Sequence, residues 1–477
     1  MKKYLAVLFG ALFILSFAAT AFAVHETMPP DEAVVAKGPA KITLGGKILL
    51  RGWYFRNIDE NALPAEPTVG SKSQALYTTN AYLTVDAKIG DNVQGFMELE
   101  TSSGESNNSG VLYWGTYDTK NDMELKFRQL WLQYTGSGLL GIPAGIKAGH
   151  MPISLGEKIF LNNERFGDDA ILVWIDPTKE LHLLAGTVKL VEGATGIGSI
   201  NHTQDLDGYV LLATYMLDKD NTIGINYTLA HSDGNLPSLS FLGIPNTESL
   251  NFQNAGVHAN GKIVGLSYAA EVDFNFGKAK DVLGGADAKF KGWGVFAKLG
   301  YMLDPVNLRA SFAMGSGDDD LDNDIDEFQT LQGTDATGAI ARYPHYTQIY
   351  ERSVRTASAE AIVTTFPGAN TRTTGIANTT YYNLGLDFNP LKEVAISLDG
   401  YLLRATETGL WEDVVGNSVS KSVGWEVDSK ISWKIAKNLT YFIEAALFKP
   451  GDFYEDIFGS DVDKTVTQAV HGLLLTF

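Results

Sequence analysis

The sequence predicts an all-β protein, a transmembrane antiparallel β-barrel of about 18 strands. After residue 40, eighteen short segments alternate between polar and apolar side chains, the period of a strand with two different faces. The gaps between these segments are alternately long and short up to the last residue. Beyond the first 23 residues, no segment offers about 18 consecutive apolar residues, so no membrane-spanning helix is expected.

The alternation of gap length predicts short periplasmic turns and long extracellular loops. A soluble β-sandwich has no physical reason to keep every second connection tight. The short gaps are 90–92, 136–142, 176–179, 218–221, 260–262, 304–307, 389–392 and 436–438. The long gaps are 57–73, 102–122, 154–166, 193–206, 232–249, 276–288, 315–378, 406–420 and 450–464.

The segment 423–435 shows the two faces most clearly, with Trp425 and Trp433 on the apolar face and Glu426 and Asp428 on the polar face. The two tryptophans are eight residues apart. That is about 26 Å along a strand. Tilted by roughly 40°, the spacing approaches the height of the apolar band between two aromatic girdles. Aromatic placement therefore favours a lipid-facing apolar surface over a sandwich core.

One predicted strand, 123–134, does not keep its alternation. The first half places apolar residues at alternate positions, but Leu130, Trp131 and Leu132 are consecutive. A β-bulge inserts one extra residue and reverses the faces beyond it. We therefore expect a bulge in this strand.

The first 23 residues have the features of a signal peptide for Sec-type export. Two lysines are followed by an apolar stretch, 4–17, and by the Ala21-Phe22-Ala23 cleavage pattern. We expect a periplasmic lead-in at 24–40 and the barrel at 41–477, interrupted by the long extracellular loop 315–378. The expected location is therefore the outer membrane of a Gram-negative cell.

Composition excludes several classes of function. The absence of cysteine removes disulfides, thiolate metal sites and the attachment of c-type haem, and no cofactor is expected. The formal net charge of −19 becomes −21 once Lys2 and Lys3 are removed, which argues against nucleic-acid binding. No hydrolase, metalloprotease, P-loop or dinucleotide motif is present, and the eight histidines have no ligand spacing, so no enzyme is predicted.

The end of the chain carries a resemblance to known proteins. Leu473, Leu475 and Phe477 alternate up to the terminal carboxylate, which resembles the last strand of Gram-negative outer-membrane proteins. In those proteins a final Phe is part of the signal recognised by the barrel assembly machinery, and Phe477 is expected to serve so here. The segments 424–452 and 146–166 are similar to porins related to the alginate-export family. The resemblance implies an outer-membrane porin.

The polar faces of the predicted strands give a set of pore-lining candidates. The basic candidates are Lys47, Arg51, Lys88, Lys126, Arg128, Lys298, Arg309, Lys430 and Lys434. The acidic candidates are Asp86, Glu98, Glu100, Glu124, Glu271, Asp273, Asp387, Asp399, Glu426, Asp428 and Glu444. Neither sign dominates, so a strongly basic conduit for a polyanion is not predicted. Two arrangements stay open, a transverse field of opposed charges at a constriction and ion pairs between neighbouring strands that stiffen the wall.

The connection 315–378 is too long for an ordinary loop and is expected to be functional. Its second half is basic and aromatic, and one hypothesis is that it folds inward and narrows the pore, the alternative being an exposed surface loop. The constriction candidates are Arg342, Tyr343, Tyr346, Tyr350, Arg352 and Arg355. Its first half is acidic but lacks the Gly and Glu that an EF-hand requires at fixed positions. Asp318, Asp320 and Asp322 are therefore weak Ca²⁺ candidates, and the alternative is a solvated acidic loop tip.

The function predicted from these features is passive diffusion of small hydrophilic solutes and ions through a water-filled channel. Two alternatives are a substrate-specific channel for uptake or export, and a barrel that sheathes a partner electron-transfer haem protein. The expected partners are outer-membrane lipid, lipopolysaccharide, small solutes and the barrel assembly machinery. A homotrimer is one possible assembly, and the sequence leaves the number of copies, the solute and the ion preference open.

Overall fold

A computed structural model provides the structure of the chain. It describes residues 33–37, 40–58, 63–66, 73–102, 112–115, 124–138, 141–191, 205–234, 247–282, 285, 287–320, 324–332, 346–355 and 375–477. The expected signal peptide, 1–23, lies outside these residues. Within this part of the chain, no helix is both long enough and apolar enough to cross a membrane.

Eighteen antiparallel strands follow one another around a closed barrel, which confirms the predicted fold class. Their bounds are β1 Ala40–Arg56, β2 Ser73–Ile89, β3 Val93–Ser102, β4 Glu124–Ser137, β5 Pro143–Met151, β6 Asp168–Ile175, β7 Leu181–Val191, β8 Leu206–Met216, β9 Thr222–Ser232, β10 Ser249–Ile263, β11 Leu266–Lys280, β12 Trp293–Leu303, β13 Val306–Gly315, β14 Thr379–Leu391, β15 Val394–Ala405, β16 Ser422–Ala436, β17 Leu439–Pro450 and β18 Val466–Thr476.

The barrel closes between its first and last strands. β18 pairs with β1 from Lys47 opposite Thr476 to Arg56 opposite Thr467. The ladder ends at Phe477, whose N–H donates to the Gly46 carbonyl at 3.0 Å. A short strand of the lead-in, Ala33–Lys37, pairs with Ala40 to Leu44 at the start of β1. Closure leaves no edge strand, so the ladder groups are paired without water, as a bilayer requires.

One end of the barrel carries short turns and the other carries nine long loops, which we number L1 to L9 in chain order. The predicted turn at 260–262 is wrong, because β10 continues to Ile263 and the turn is formed by Val264 and Gly265. Both turn residues have positive φ, 49° and 84°, the geometry of a tight two-residue hairpin. The Asn-Gly-Lys signal is therefore at the end of a ladder and not in the turn.

The predicted bulge lies at Arg128 in β4. Glu98 of β3 is opposite Gln129, whereas the next residue, Leu99, is opposite Phe127. Arg128 is left over between these pairs, which reverses the faces of the strand beyond it. Apolar residues on both sides of the bulge, Leu125 at 63% and Leu132 at 68%, therefore stay exposed on the outer surface.

The outer surface of the wall is apolar and the inner surface is polar. Leu384, Trp425 and Trp433 are exposed, as an apolar band in contact with lipid requires. Their strand neighbours on the opposite face include Glu426 and Asp428, which are fully buried. Since polar side chains are buried on the inner face, the inside of the barrel must be covered by other parts of the chain.

The long loops supply that cover. L3 (152–167) and L7 (316–378) are joined by a short parallel pairing of Leu161–Asn162 with Leu331–Gln332. Phe160 of L3 packs against Phe252 of β10 and Phe328 of L7, with ring centroids 6.0 and 6.4 Å apart. Two short helices, α1 (Gly409–Val415) in L8 and α2 (Asp452–Phe458) in L9, add further buried residues. These loops form an apolar core inside the loop-bearing end of the barrel.

Candidate pore constriction

L3 is attached to the barrel wall on two sides. One end of it binds β3 and β4 through Arg165, and the other binds β11 through the backbone after Gly156. In the strand order of the closed barrel, β3 and β11 are nearly opposite each other. L3 therefore crosses the interior and narrows the space that a solute can use.

The first attachment of L3 consists of two arginine–glutamate pairs. Arg165 donates to both carboxylate oxygens of Glu100, at 2.7 and 2.5 Å, a bidentate arrangement that fixes its orientation. Arg128 on β4 forms an ion pair with Glu98 at 2.5 Å. It also donates to the backbone carbonyls of Glu164 and Arg165, at 2.8 and 2.9 Å. The bulge in β4 thus places a guanidinium where it holds the backbone of L3.

The second attachment of L3 is to a buried carboxylate. Glu271 on β11 accepts the backbone N–H of Glu157 at 2.6 Å, with a longer contact of 3.5 Å from the N–H of Ile159. Gly156 has a φ of 54°, and a Cβ at this position would lie closer than 3.0 Å to the Glu271 carboxylate. Glycine adopts this conformation without strain, and its lack of a Cβ leaves room for the carboxylate.

L7 is attached to β16 by the same chemistry. Glu426 accepts the backbone N–H groups of Ile349 and Tyr350 at 2.6 and 2.8 Å, and Asp428 accepts that of Gln348 at 3.1 Å. These N–H groups belong to the start of a π-helical turn, Tyr350–Arg355. Backbone donors that converge on a carboxylate satisfy its charge without a basic side chain.

Two of the constriction candidates, Tyr346 and Tyr350, pack inside the barrel. The Tyr346 ring stacks on Tyr381 with centroids 4.7 Å apart, and the Tyr350 hydroxyl lies 3.2 Å from the Thr379 hydroxyl. Tyr350 is fully buried. Arg342 and Tyr343 lie outside the described residues, as do the side chains of Arg352 and Arg355.

A third network lies on the inner wall of β13 to β15. Arg309 donates to both carboxylate oxygens of Asp399 at 2.8 Å and to Asp387 at 2.9 Å. Lys430 and Glu444 form a further pair between β16 and β17 at 2.7 Å. Arg128, Arg309 and Lys430 therefore pair with neighbouring strands, the arrangement that stiffens a wall.

Among the half-buried basic candidates from the sequence, three form no ion pair with a carboxylate within the described part of the chain. Lys47 lies over the Tyr82 ring at 4.1 Å, and Arg51 donates to the Asn80 side chain at 2.6 Å. Lys298 on β12 is half-buried near Arg309. Carboxylates such as Glu100 near Lys47 and Arg51, and Asp399 near Lys298, lie within electrostatic range, but each of them is bonded to an arginine instead.

The other sequence candidates are less central. Lys88 pairs with Asp86 at 3.3 Å, Lys126 is half-buried on β4, and Lys434 is exposed near a short turn. The side chain of Glu124 and the whole of Asp322 lie outside the described residues. Asp318 is buried beside exposed Asp319 and Asp320, with carboxylate oxygens within 4.8 Å of one another. The sequence did not identify Glu157, Glu164 and Arg165 as site candidates, because loop residues carry no periodic signal that indicates where they fold back.

Comparisons with known proteins agree with this architecture. The family described as alginate export matches residues 202–468, more than half of the chain. OccK2 (OpdF) of Pseudomonas aeruginosa is 12% identical with a TM-score of 0.51, covering 91% of this chain and 97% of that one. OccK5 (OpdH) of the same organism is 12% identical with a TM-score of 0.50, covering 91% and 98%. OccAB2 of Acinetobacter baumannii is 10% identical with a TM-score of 0.50, covering 91% and 98%. No curated protein matches this sequence.

A closed 18-stranded barrel with an apolar outer surface and a polar interior narrowed by its own loops defines an outer-membrane channel. The chain belongs to the alginate export family. Its short turns are accordingly periplasmic and its long loops extracellular.

Proposed function

We propose that this channel passes small hydrophilic solutes by passive diffusion and that small anions pass more readily than small cations. The pathway runs beside L3, between that loop and the wall that carries Lys47, Arg51 and Lys298. The function has no catalytic step. Outer-membrane lipid, lipopolysaccharide and the barrel assembly machinery, which would recognise Phe477, are the proposed partners beside the solute.

The observation that carries the anion preference is an imbalance in how the inner charges are satisfied. The described acidic candidates contact a basic side chain, a side-chain amide or loop backbone N–H groups, although the contact of Asp273 with the Asn254 amide lacks hydrogen-bond geometry. Lys47, Arg51 and Lys298 form no ion pair with a carboxylate in the described structure. A ring or row of uncompensated charge of one sign attracts counter-ions into a narrow pore. The ion preference thus depends less on the total number of charges on the wall than on which charges have no ion-pair partner.

The test is a reversal potential measured across a planar bilayer in a KCl gradient. The wild-type channel is expected to favour Cl⁻ over K⁺. The triple variant Lys47→Met, Arg51→Met and Lys298→Met is expected to lose that preference. Unchanged selectivity in the variant, or a wild-type preference for K⁺, would contradict the proposed anion preference.

A matched control removes three positive charges from the short turns. Lys219, Lys262 and Lys392 are exposed at the periplasmic end of the barrel. Because water and salt screen exposed charges over roughly 10 Å, their replacement by Met is expected to change the reversal potential much less. Liposome swelling with uncharged sugars tests the general diffusion pathway separately, since a substrate-specific channel would admit one class of sugar and exclude others of equal size.

A further inference from the structure

One inner carboxylate, Asp273 of β11, lacks a well-formed hydrogen bond in the described structure. It is fully buried, and although the Asn254 amide and the Glu271 carboxyl lie beside it, neither of its oxygens accepts a hydrogen bond of ordinary geometry. Glu271, its neighbour on the same face of the strand, is also buried, and one of its oxygens is likewise unsatisfied. Two adjacent buried carboxylates without a positive charge are unfavourable, because burial removes the water that would stabilise them.

Two buried side-chain amides face the same space. Asn254 is completely buried and Asn226 is 5% exposed, and within the described residues neither amide makes a hydrogen bond of ordinary geometry, although Asn254 lies beside the Asp273 carboxylate. A buried amide without a partner costs free energy, so such groups are normally satisfied by protein or bound ligand. Four polar side chains on three neighbouring strands therefore bring oxygen atoms without a well-formed hydrogen bond to the same place.

Gly256 provides the space between them. In the ladder, Gly256 is opposite Asn226 on β9 and Asp273 on β11. A Cβ at this position would lie 2.6 and 2.9 Å from the Asn226 amide atoms and closer than 3.0 Å to the Asp273 carboxylate. The carboxylate and the amide thus face each other across a gap without forming a direct hydrogen bond.

We propose that Asp273, Glu271, Asn226 and Asn254 bind one Ca²⁺ ion inside the barrel wall, beneath L3. Carboxylate and amide oxygens are hard ligands, and the Asn orientations that present oxygen are available because the two amide positions are interchangeable in such a network. Ca²⁺ accepts six to eight oxygens in irregular geometry, whereas Mg²⁺ demands a near-ideal octahedron and retains its waters. Two oxygens of Asp273 and one oxygen each from Glu271, Asn226 and Asn254 make five protein ligands. With water completing the coordination shell, this set matches Ca²⁺ better than Mg²⁺.

The site is connected to the constriction. Glu271 uses one carboxylate oxygen to hold the backbone N–H of Glu157 in L3 and has its other oxygen available for the ion. A bound cation would fix the Glu271 carboxylate, and through it the position of Gly156 and Glu157. The ion would therefore support one end of the loop that crosses the pore, without lining the solute pathway itself.

The test measures Ca²⁺ binding to the full chain refolded from denaturant into detergent micelles, which excludes lipopolysaccharide as a source of bound calcium. Refolding with and without Ca²⁺ allows a buried site to load. We expect one tightly bound Ca²⁺ per barrel, measured by titration calorimetry and by metal analysis after gel filtration. The variant Asp273→Asn, which keeps the side-chain shape, is expected to weaken binding by at least about tenfold.

Two further variants keep the result interpretable. Gly256→Ala leaves all charges in place but fills the gap with a methyl group, and it is expected to weaken Ca²⁺ binding as well. The control Asp319→Asn with Asp320→Asn removes the exposed acidic pair in L7 and is expected to retain the tight ion. Heat-modifiable gel migration verifies that each variant forms a barrel.

Three results would overturn the proposal. The wild-type barrel holds no Ca²⁺ after refolding with it, or Asp273→Asn binds as tightly as wild type, or the L7 double variant is the one that loses the ion. The first result would mean that Glu271 and Asp273 share a proton or contact water only. None of these outcomes bears on ion selectivity, so the proposed function is tested independently.

Discussion

Arg309 on β13 reaches Asp399 on β15 across the intervening strand. The two terminal guanidinium nitrogens each lie 2.8 Å from one carboxylate oxygen of Asp399, although β14 separates the two residues. The residue between them in the ladder is Gly385, opposite Arg309 on one side and Asp399 on the other. The ion pair is possible because this position carries no side chain, which leaves the inner surface of β14 open.

Gly385→Ala is therefore expected to destabilise the barrel. A Cβ at this position would lie 3.0 Å from the Arg309 guanidinium carbon and closer than that to the Asp399 carboxylate. Overpacking of this kind costs about 1–3 kcal/mol, and displacement of the buried pair adds to it. The measurement is the free energy of unfolding in urea, monitored by tryptophan fluorescence in detergent micelles.

The matched control for this change is Gly400→Ala on β15. A Cβ at Gly400 would meet one atom, the Leu384 carbonyl oxygen, at 4.0 Å, an ordinary contact. We expect a change within about 0.5 kcal/mol. Equal effects from the two alanines would mean that general strand propensity, and not the Arg309–Asp399 pair, determines the cost.

Arg165→Met is expected to detach one end of L3 and to increase single-channel conductance. The change removes the bidentate pair and leaves Glu100, which is 6% exposed, without its cation. Loss of one partner from a buried ion pair costs about 3–5 kcal/mol, enough to favour a loop that leaves the wall. The measurement is the conductance of single channels in a planar bilayer.

Lys158→Met is the control for the same loop. Lys158 pairs with Glu164, which is also in L3, so its removal changes the charge of the loop equally but leaves the bond between Arg165 and Glu100 on the barrel wall in place. Its conductance is expected to stay near the wild-type value. A comparable increase in both variants would attribute the effect to charge and not to attachment.

Glu426→Ala is expected to release the start of the π-helical turn in L7. It removes the acceptor for the Ile349 and Tyr350 N–H groups, which are buried and would lose their partner. An unsatisfied buried donor costs about 1–3 kcal/mol. Conductance should rise or fluctuate between levels, and deletion of 340–360 should raise it further. Unchanged conductance in the deletion would rule out a narrowing role for this part of L7.

The control for this carboxylate is Glu455→Ala on helix α2. Glu455 is exposed in L9, so the change removes the same charge from the extracellular side. We expect no effect on conductance, because no N–H group of L7 donates to Glu455 in the described structure. An effect equal to that of Glu426→Ala would indicate a change in surface potential.

The strands could be predicted from the sequence, but the attachments of the loops could not. Alternating polarity identifies Glu426 and Asp428 as inward-facing, because each strand position has only two directions to point. The partners of these residues are backbone N–H groups of Gln348, Ile349 and Tyr350, and a backbone N–H is present at every non-proline residue. Sequence therefore contains no signal that distinguishes the donors.

For the same reason, the sequence predicts a loop that narrows the pore in L7 but not in L3. Loop length pointed to 315–378, whereas L3 is much shorter and crosses the barrel because Arg128, Arg165 and Glu271 hold its two ends. Gly156, Glu164 and Arg165 lie within the segment 146–166 that carries the family resemblance, but the position of the backbone after Gly156 depends on Glu271, more than a hundred residues away.

The attachment of L6 to L7 is expected to depend on pH through Asp324 and Lys291. Lys291 in L6 (281–292) lies 2.6 Å from the Asp324 carboxylate in L7, and this hydrogen bond lowers the pKa of Asp324 and raises the pKa of Lys291. A lowered carboxyl pKa contributes stability above the unfolded value, about 3.9, and that contribution is lost as the pH falls through the folded value. A raised lysine pKa contributes below the unfolded value, about 10.4, and is lost as the pH rises through the folded value. The rate of proteolysis of L7 in intact barrels should therefore be constant from about pH 5 to 9 and accelerate below about pH 4.

Lys291→Met should accelerate this proteolysis at neutral pH, whereas Lys289→Met, which removes a contact of 4.0 Å to Asp324, should have little effect. Equal rates for the wild type and Lys291→Met at pH 7 would show that the pair does not hold the two loops together.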